Sequence, residues 1–298
     1  MEKKETKKKF FSYRNVKSSL SDGISLFTDN ATHLFKLSLP VLVVYSLLVT
    51  LCFDAFSTLG IGGQLSLVWL GVACVSAFIA ATIIKPLIYN VIRKESKGIE
   101  IKSLTLRTFY DRSFFSLLGR IAVYNLISLF LIALAVAIVF FYIKVPVSDK
   151  GPELIKLAGF ILLFIFFLVF VIAYRLVLPY VVLGKVRNVF KSVTKGLKKG
   201  FRYWGKMMQM SVLVFFIVSI IAVLILSPAI ISSLVDRAAL ISMVQGDAVD
   251  LPSSFGLFRI LVTFISTFIV ANVMFVNYSP LAYTYASIVT DEEEMASL

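Results

Sequence analysis

The sequence predicts an all-α polytopic membrane protein with six transmembrane helices. Three observations carry that expectation. The 298 residues are 59% hydrophobic with a mean hydropathy of +0.91, beyond the 45–50% or so typical of soluble domains. Six apolar runs each reach at least the roughly 17 residues that span a bilayer as a helix. Lys and Arg gather between those runs and not along a polar domain, so the net charge of +13 points to membrane topology and anionic lipid and not to nucleic acid.

Each element follows in order. MEKKETKKK opens a basic stretch, residues 1–18, that reads as a disordered tail. Leu20, Ile24, Phe27, Ala31 and Leu34 recur at helical spacing, with Ser21 or Asp22 available as a cap. Segment one covers about 37–53, an uncharged LGIGGQ turn follows, and segment two covers about 65–90. The basic loop 91–119 holds a second amphipathic stretch, Leu106, Phe109, Tyr110, Phe114 and Leu117, with Ser103 as its cap. Segments three and four, about 121–142 and 154–183, are joined by KVPVSDKGPE, a turn by its prolines and glycine. Segment five covers about 207–231, a polar link contains Asp236 and Arg237, and segment six covers about 255–288. One membrane domain, 19–290, is expected, followed by the acidic tail 291–298. Strands would require an alternating pattern that these runs lack.

The stretch 185–206 carries eight Lys or Arg and no acid. Val186, Val189, Phe190, Val193, Leu197, Phe201 and Trp204 form one helical stripe, with Arg187, Lys191, Lys195, Lys198 and Arg202 opposite. Two readings stand: a basic amphipathic helix lying on anionic lipid, or a charge signal that only retains the loop in the cytosol. The Lys/Arg asymmetry puts both termini in the cytoplasm.

The three units share a pattern. Lys36, Arg120 and Lys206, spaced by 84 and 86 residues, each follow an amphipathic stretch and open an odd-numbered span. Pro86, Pro179 and Pro280 sit near the cytoplasmic ends of the even-numbered spans, each followed by a tyrosine, and are expected to kink or break those helices. The chain therefore reads as three pseudo-repeated hairpins. These motifs, strongest in LPYVVLGKVRNVFKSVTKGLKKGFRYWGKMMQMSVLVFFI at 178–217, resemble the six-helix membrane domain attached to some bacterial glycerophosphodiester phosphodiesterases and the stand-alone YciC-like inner-membrane proteins. The resemblance covers about residues 20–288 and departs at Phe35, where the other two units carry Gly119 and Gly205. It implies a bacterial inner-membrane location and supplies no catalytic residues, since the family's phosphodiesterase chemistry belongs to a separate soluble domain that this sequence does not contain.

Chemistry-bearing residues are few. Cys52 and Cys74 lie in apolar runs, and there is no CxxC or disulfide framework. His33 lacks neighbours at ligand spacing, so it reads as interfacial packing, with no metal or other cofactor implied. Asp54 reads as a solvated loop residue. Lys85, Arg175, Asn272 and Asn277 are polar within the spans, where such groups are costly and usually face the bundle interior. Lys85, Arg175 and Asn277 lie beside the three prolines, so they either converge on an anion or headgroup cavity or snorkel to the cytoplasmic interface. Two functions fit. One is a non-enzymatic scaffold whose basic interfacial helices bind anionic lipid and present a cytoplasmic face to a membrane or cytoplasmic protein partner. The other is a transporter or carrier of a lipid or small anion using the proline-bearing helices. An intramembrane enzyme fits least, because no acid, base or nucleophile set can be assembled.

Overall fold

The computed structural model describes residues 10–58, 67–144, 153–184, 186, 188–246 and 251–295. Lys185 and Arg187 lie outside the described residues. The chain is all-α: α1 Val16–Thr28, α2 Ala31–Thr58, α3 Leu67–Ser96, a 3₁₀ turn Ile101–Ser103, α4 Leu106–Phe109, α5 Arg112–Lys144, α6 Glu153–Tyr174, α7 Val177–Leu183, α8 Val189–Arg202, α9 Trp204–Gln245 and α10 Phe255–Met295. Among the described residues six helices are long and apolar enough to cross a membrane: α2, α3, α5, α6 with α7, α9 and α10. An even number of spans places residues 10 and 295 on the same side.

The caps decide the boundaries. Asn15 Oδ1 accepts from the Ser18 N–H at 2.7 Å and starts α1 earlier than Ser21 or Asp22 would. Thr105, not Ser103, caps α4, and Asp111 Oδ1 accepts from the Phe114 N–H to open α5. The expected link after segment five is helical as far as Gln245. Nothing between Ser232 and Gln245 interrupts the backbone, and Gly246, at φ +90°, ends the helix. Within the expected disordered tail, residues 10–18 are packed: Phe10 is 2% and Arg14 6% exposed, and Arg14 bonds to Asp22 and exchanges backbone bonds with the Ser287 hydroxyl. The expected acidic tail continues α10 to Met295, where Glu292 pairs with Lys199 and Asp291 with Lys206.

Proline acts differently in the three even spans. Of the expected kink or break, the break does not occur in α3 at Pro86 or in α10 at Pro280, since both helices run through. Only the fourth span is interrupted, at the Arg175–Leu176 turn just before Pro179. Proline removes one donor and crowds the carbonyl one turn back. Within a packed bundle, neighbouring groups tolerate that loss.

α10 is the hub, packing against α1, α2, α3, α7 and α9. The pairs α2/α3 and α9/α10 pack closely. The middle pair is held through its neighbours: among the described residues α5 rests on α3 and α7, and α6 on α8 and α9. The fully buried side chains, Leu34, Leu42, Tyr89, Phe109, Leu117, Leu176 and Met210 among them, belong to the half that bears α1, α4 and α8. Farther out, Phe130, Val136, Phe166, Leu224 and Ile231 are exposed. In a bilayer those halves face lipid, because lipid chains solvate such side chains as well as a protein core does.

Each short amphipathic element seats on the proline-bearing end of an even span. α1 places Gly23 against Pro280, where an added Cβ would stand 2.5 Å from the Pro280 nitrogen, and the Ser279 hydroxyl donates to the Gly23 carbonyl at 2.8 Å. The Phe109 carbonyl at the end of α4 accepts from Asn90 Nδ2 at 2.8 Å. α8 lies on α7 and the end of α6. His33 Nε2 donates to the Leu104 carbonyl at 2.9 Å, joining α2 to the loop before α4.

Lys94 Nζ reaches Asp111 Oδ2 at 2.5 Å in this collar. Burial pushes the Asp111 carboxyl up, but hydrogen bonds from Lys94, Ser113 and the Phe114 N–H outweigh it and hold the pKa at about 2. A depressed carboxyl pKa contributes stability above the unfolded value near 3.8 that is lost as pH falls through 2. The thermal midpoint of the wild type should therefore exceed that of Asp111→Asn by a constant margin above about pH 5, narrowing towards pH 2. A margin independent of pH would show that the ion pair contributes nothing.

Candidate functional site

The polar centre of the bundle is built from Lys85 on α3, Asn125 on α5, Arg175 at the α6–α7 turn and Asn277 on α10. Lys85 lies 17 residues from Val68 and 11 from Ser96, or about 26 Å and 16 Å along the helix. The helix is longer than the roughly 30 Å hydrocarbon core, and Lys85 lies beside Pro86, towards the end on which α4 seats. Its ammonium does not snorkel. Nζ donates to Asn125 Oδ1 at 2.5 Å and stands 5.4 Å from the centre of the Tyr124 ring. Asn125 in turn donates to the Thr82 hydroxyl at 3.0 Å. The backbone geometry explains the inward turn: Thr82 and Lys85 are three apart on α3 and share a face, and α5 packs on that face.

Arg175 is turned inward as well. Nη2 donates to Asn277 Oδ1 at 2.6 Å and Nη1 reaches the Ser211 carbonyl at 3.5 Å. The interruption before Pro179 is what frees this side chain to point across to α10 and α9. Tyr89 and Tyr124 are buried in one apolar core, with Tyr278 packed against it. Tyr124 stacks on Tyr174 at 5.5 Å, and the Tyr174 hydroxyl is 2.9 Å from that of Ser128. The Tyr89 hydroxyl, fully buried, has no hydrogen-bond partner among the described residues. Among the described residues, neither Lys85 nor Arg175 is paired with a carboxylate; the carboxylates pair instead at the collar and at the far end. A lysine or arginine at mid-helix depth costs about 2.5–3.5 kcal/mol on insertion scales. Neutral amide and carbonyl acceptors offset part of that and leave a net positive centre.

The two cations and Asn277 are therefore turned into the same bundle core, each with a neutral partner. Asn272 is separate: its amide bonds back to the Phe268 carbonyl of its own helix. Asn125, Tyr124 and Tyr278 are members that sequence reasoning missed. Asn125 was discoverable as a lone amide five residues beyond Arg120 inside an apolar run.

A groove of about 580 Å³ opens beside Lys85 between α2, α3 and α10, lined by Tyr45, Cys52, Phe53, Ala81, Met274 and Tyr278 among others. Its walls are overwhelmingly apolar, and its size is that of a small-molecule site. Among the described residues no group of three or more His, Cys, Asp or Glu is arranged to hold a metal ion.

The basic helix α8 has three faces where sequence reasoning saw two. Ser192, Gly196 and Gly200 form a small-residue line that is buried on the bundle. An added Cβ at Gly196 would stand 3.0 Å from Val177 Cα, and one at Gly200 2.1 Å from the Ala173 carbonyl oxygen. Phe190 and Phe201 are exposed on one flank, at 66% and 46%. Lys191, Lys195 and Lys198 are exposed on the other. Arg202 is exposed and 4.0 Å from Glu292, while Lys199 pairs with Glu292 and lies over Tyr180. At the far end of the bundle Asp54 is not a solvated loop residue: Arg259, 11% exposed, pairs with it and with Asp236.

Compared with known proteins, the chain matches no family model, no curated protein and no solved structure.

Proposed function

We propose that this is a non-enzymatic protein of the bacterial cytoplasmic membrane that binds and carries an anionic lipid or small anion. The observation that carries the proposal is the pair of inward-turned cations, Lys85 and Arg175, held by neutral groups within the bundle. An anion supplies the charge that the neutral partners lack, Arg175 offering a planar fork and Lys85 a point charge. The basic collar supports a cytoplasmic placement of both termini, because Lys and Arg are retained on that side. The seating of α1, α4 and α8 on three proline-bearing ends supports three repeated hairpins.

A second reading, a lipid-bound scaffold that presents its cytoplasmic face to a protein partner, is favoured by α8. Exposed Phe190 and Phe201 beside exposed Lys191, Lys195 and Lys198 suit an anionic membrane surface.

Lipid analysis of the purified protein separates the two. With Lys85→Gln/Arg175→Gln, co-purifying anionic lipid should fall at least about fivefold, a coupling near 1 kcal/mol. With Lys191, Lys195 and Lys198 all changed to Gln it should stay within about twofold. The reverse result supports the scaffold and overturns the carrier.

A further inference from the structure

The groove beside Lys85 carries an inference that rests on the anion-binding reading and narrows its ligand. It runs along α2 from Tyr45 to Phe53 and along α3 from Lys85 to Ala77, about 12 Å in each case at 1.5 Å per residue. One end is polar: Lys85 lines it, with Tyr45 and Tyr278 in the wall. The other end is Cys52, Phe53 and Ala77, which offer no charge. Lysine has three donors. One is spent on Asn125 and the Tyr124 ring lies against the ammonium as well, both on α5, which leaves one for a group entering from the groove.

An open apolar groove between spans is filled by hydrocarbon in a bilayer, so an acyl chain is its natural occupant. The cation at one end adds a charge requirement to the chain requirement. We propose that the groove is a binding site for a single-chain anionic amphiphile, its carboxylate or phosphate at Lys85 and its chain lying towards Phe53. This differs from a site for a free anion, which needs Arg175 and Lys85 but has no use for 12 Å or so of apolar wall. It differs also from a groove filled by any lipid chain, which has no use for a lysine.

Cys52 lines the groove and provides the readout. The chain has two cysteines, so Cys74→Ser leaves Cys52 as the only thiol. Its alkylation by N-ethylmaleimide would be followed in a non-ionic detergent with four probes: dodecyl phosphate, dodecanol, dodecyltrimethylammonium and inorganic phosphate. Dodecyl phosphate should protect Cys52 at a concentration at least about tenfold lower than dodecanol or the ammonium compound. Inorganic phosphate should not protect. Lys85→Gln should abolish the tenfold preference and Lys85→Arg retain it. Equal protection by dodecanol and dodecyl phosphate overturns the proposal, as does protection by inorganic phosphate alone. The probe comparison needs no change at Lys85, so it decides the matter even if Lys85→Gln fails to fold. If anionic lipid is lost from Lys85→Gln/Arg175→Gln while dodecanol protects as well as dodecyl phosphate, the anion reading stands and only the groove assignment falls.

Discussion

Arg259→Leu is expected to destabilise the detergent-solubilised protein by about 3–5 kcal/mol, the range for breaking a buried ion pair from one side. Arg259 is 11% exposed and holds Asp54 of α2 and Asp236 of α9 together on α10. Its removal takes the guanidinium away from two carboxylates that are 31% and 20% exposed. Changing all three residues to Leu should recover most of the loss, because replacing a whole buried pair with apolar side chains is often near neutral. Equilibrium unfolding in mixed micelles measures both variants. A cost for Arg259→Leu under about 1 kcal/mol would class the cluster with solvated surface pairs.

Gly200→Ala is the second large effect. The new Cβ would stand 2.1 Å from the Ala173 carbonyl oxygen and 2.8 Å from its carbon. These are backbone atoms that cannot rotate away, so α8 must lift from α6 and α7. The expected cost is at least about 1–3 kcal/mol, the range for overpacking. Trypsin should cut faster after Lys195 and Lys198 as the helix detaches. Gly205→Ala is the matched control, because nothing lies within 4 Å of its added Cβ. It should be neutral or stabilising by up to about 1 kcal/mol, the helix preference of alanine over glycine. Equal behaviour of the two variants would mean that α8 is held by lipid alone.

Much of this architecture was legible because the bilayer imposes a one-dimensional rule. Length, apolar composition and the position of Lys and Arg are sufficient to count spans. The amphipathic helices were legible for the same reason, since 3.6-residue periodicity shows in the order of residues. The small-residue line Ser192, Gly196 and Gly200 was also in view at i, i+4 and i+8. A stripe of aliphatic side chains beside it drew the eye instead, although glycine lines are what let helices approach within contact of each other's backbone. Polar residues in the spans were flagged from their cost alone. Their partners were not, because Asn125 lies 40 residues from Lys85 and Asn277 lies 102 from Arg175.

The sequence by itself determined that the chain is helical, that it carries six spans, and where basic residues gather. Those properties follow from local periodicity and from the cost of unpaired amides in hydrocarbon. Tertiary structure alone decided that Lys85 and Arg175 turn inward and do not snorkel, that Arg259 clamps Asp54 and Asp236, and that only the fourth span is interrupted near its proline. Each of these depends on which acceptor stands nearest in space. A long cation reaches equally well towards an interface or a neighbouring helix, and packing selects between them.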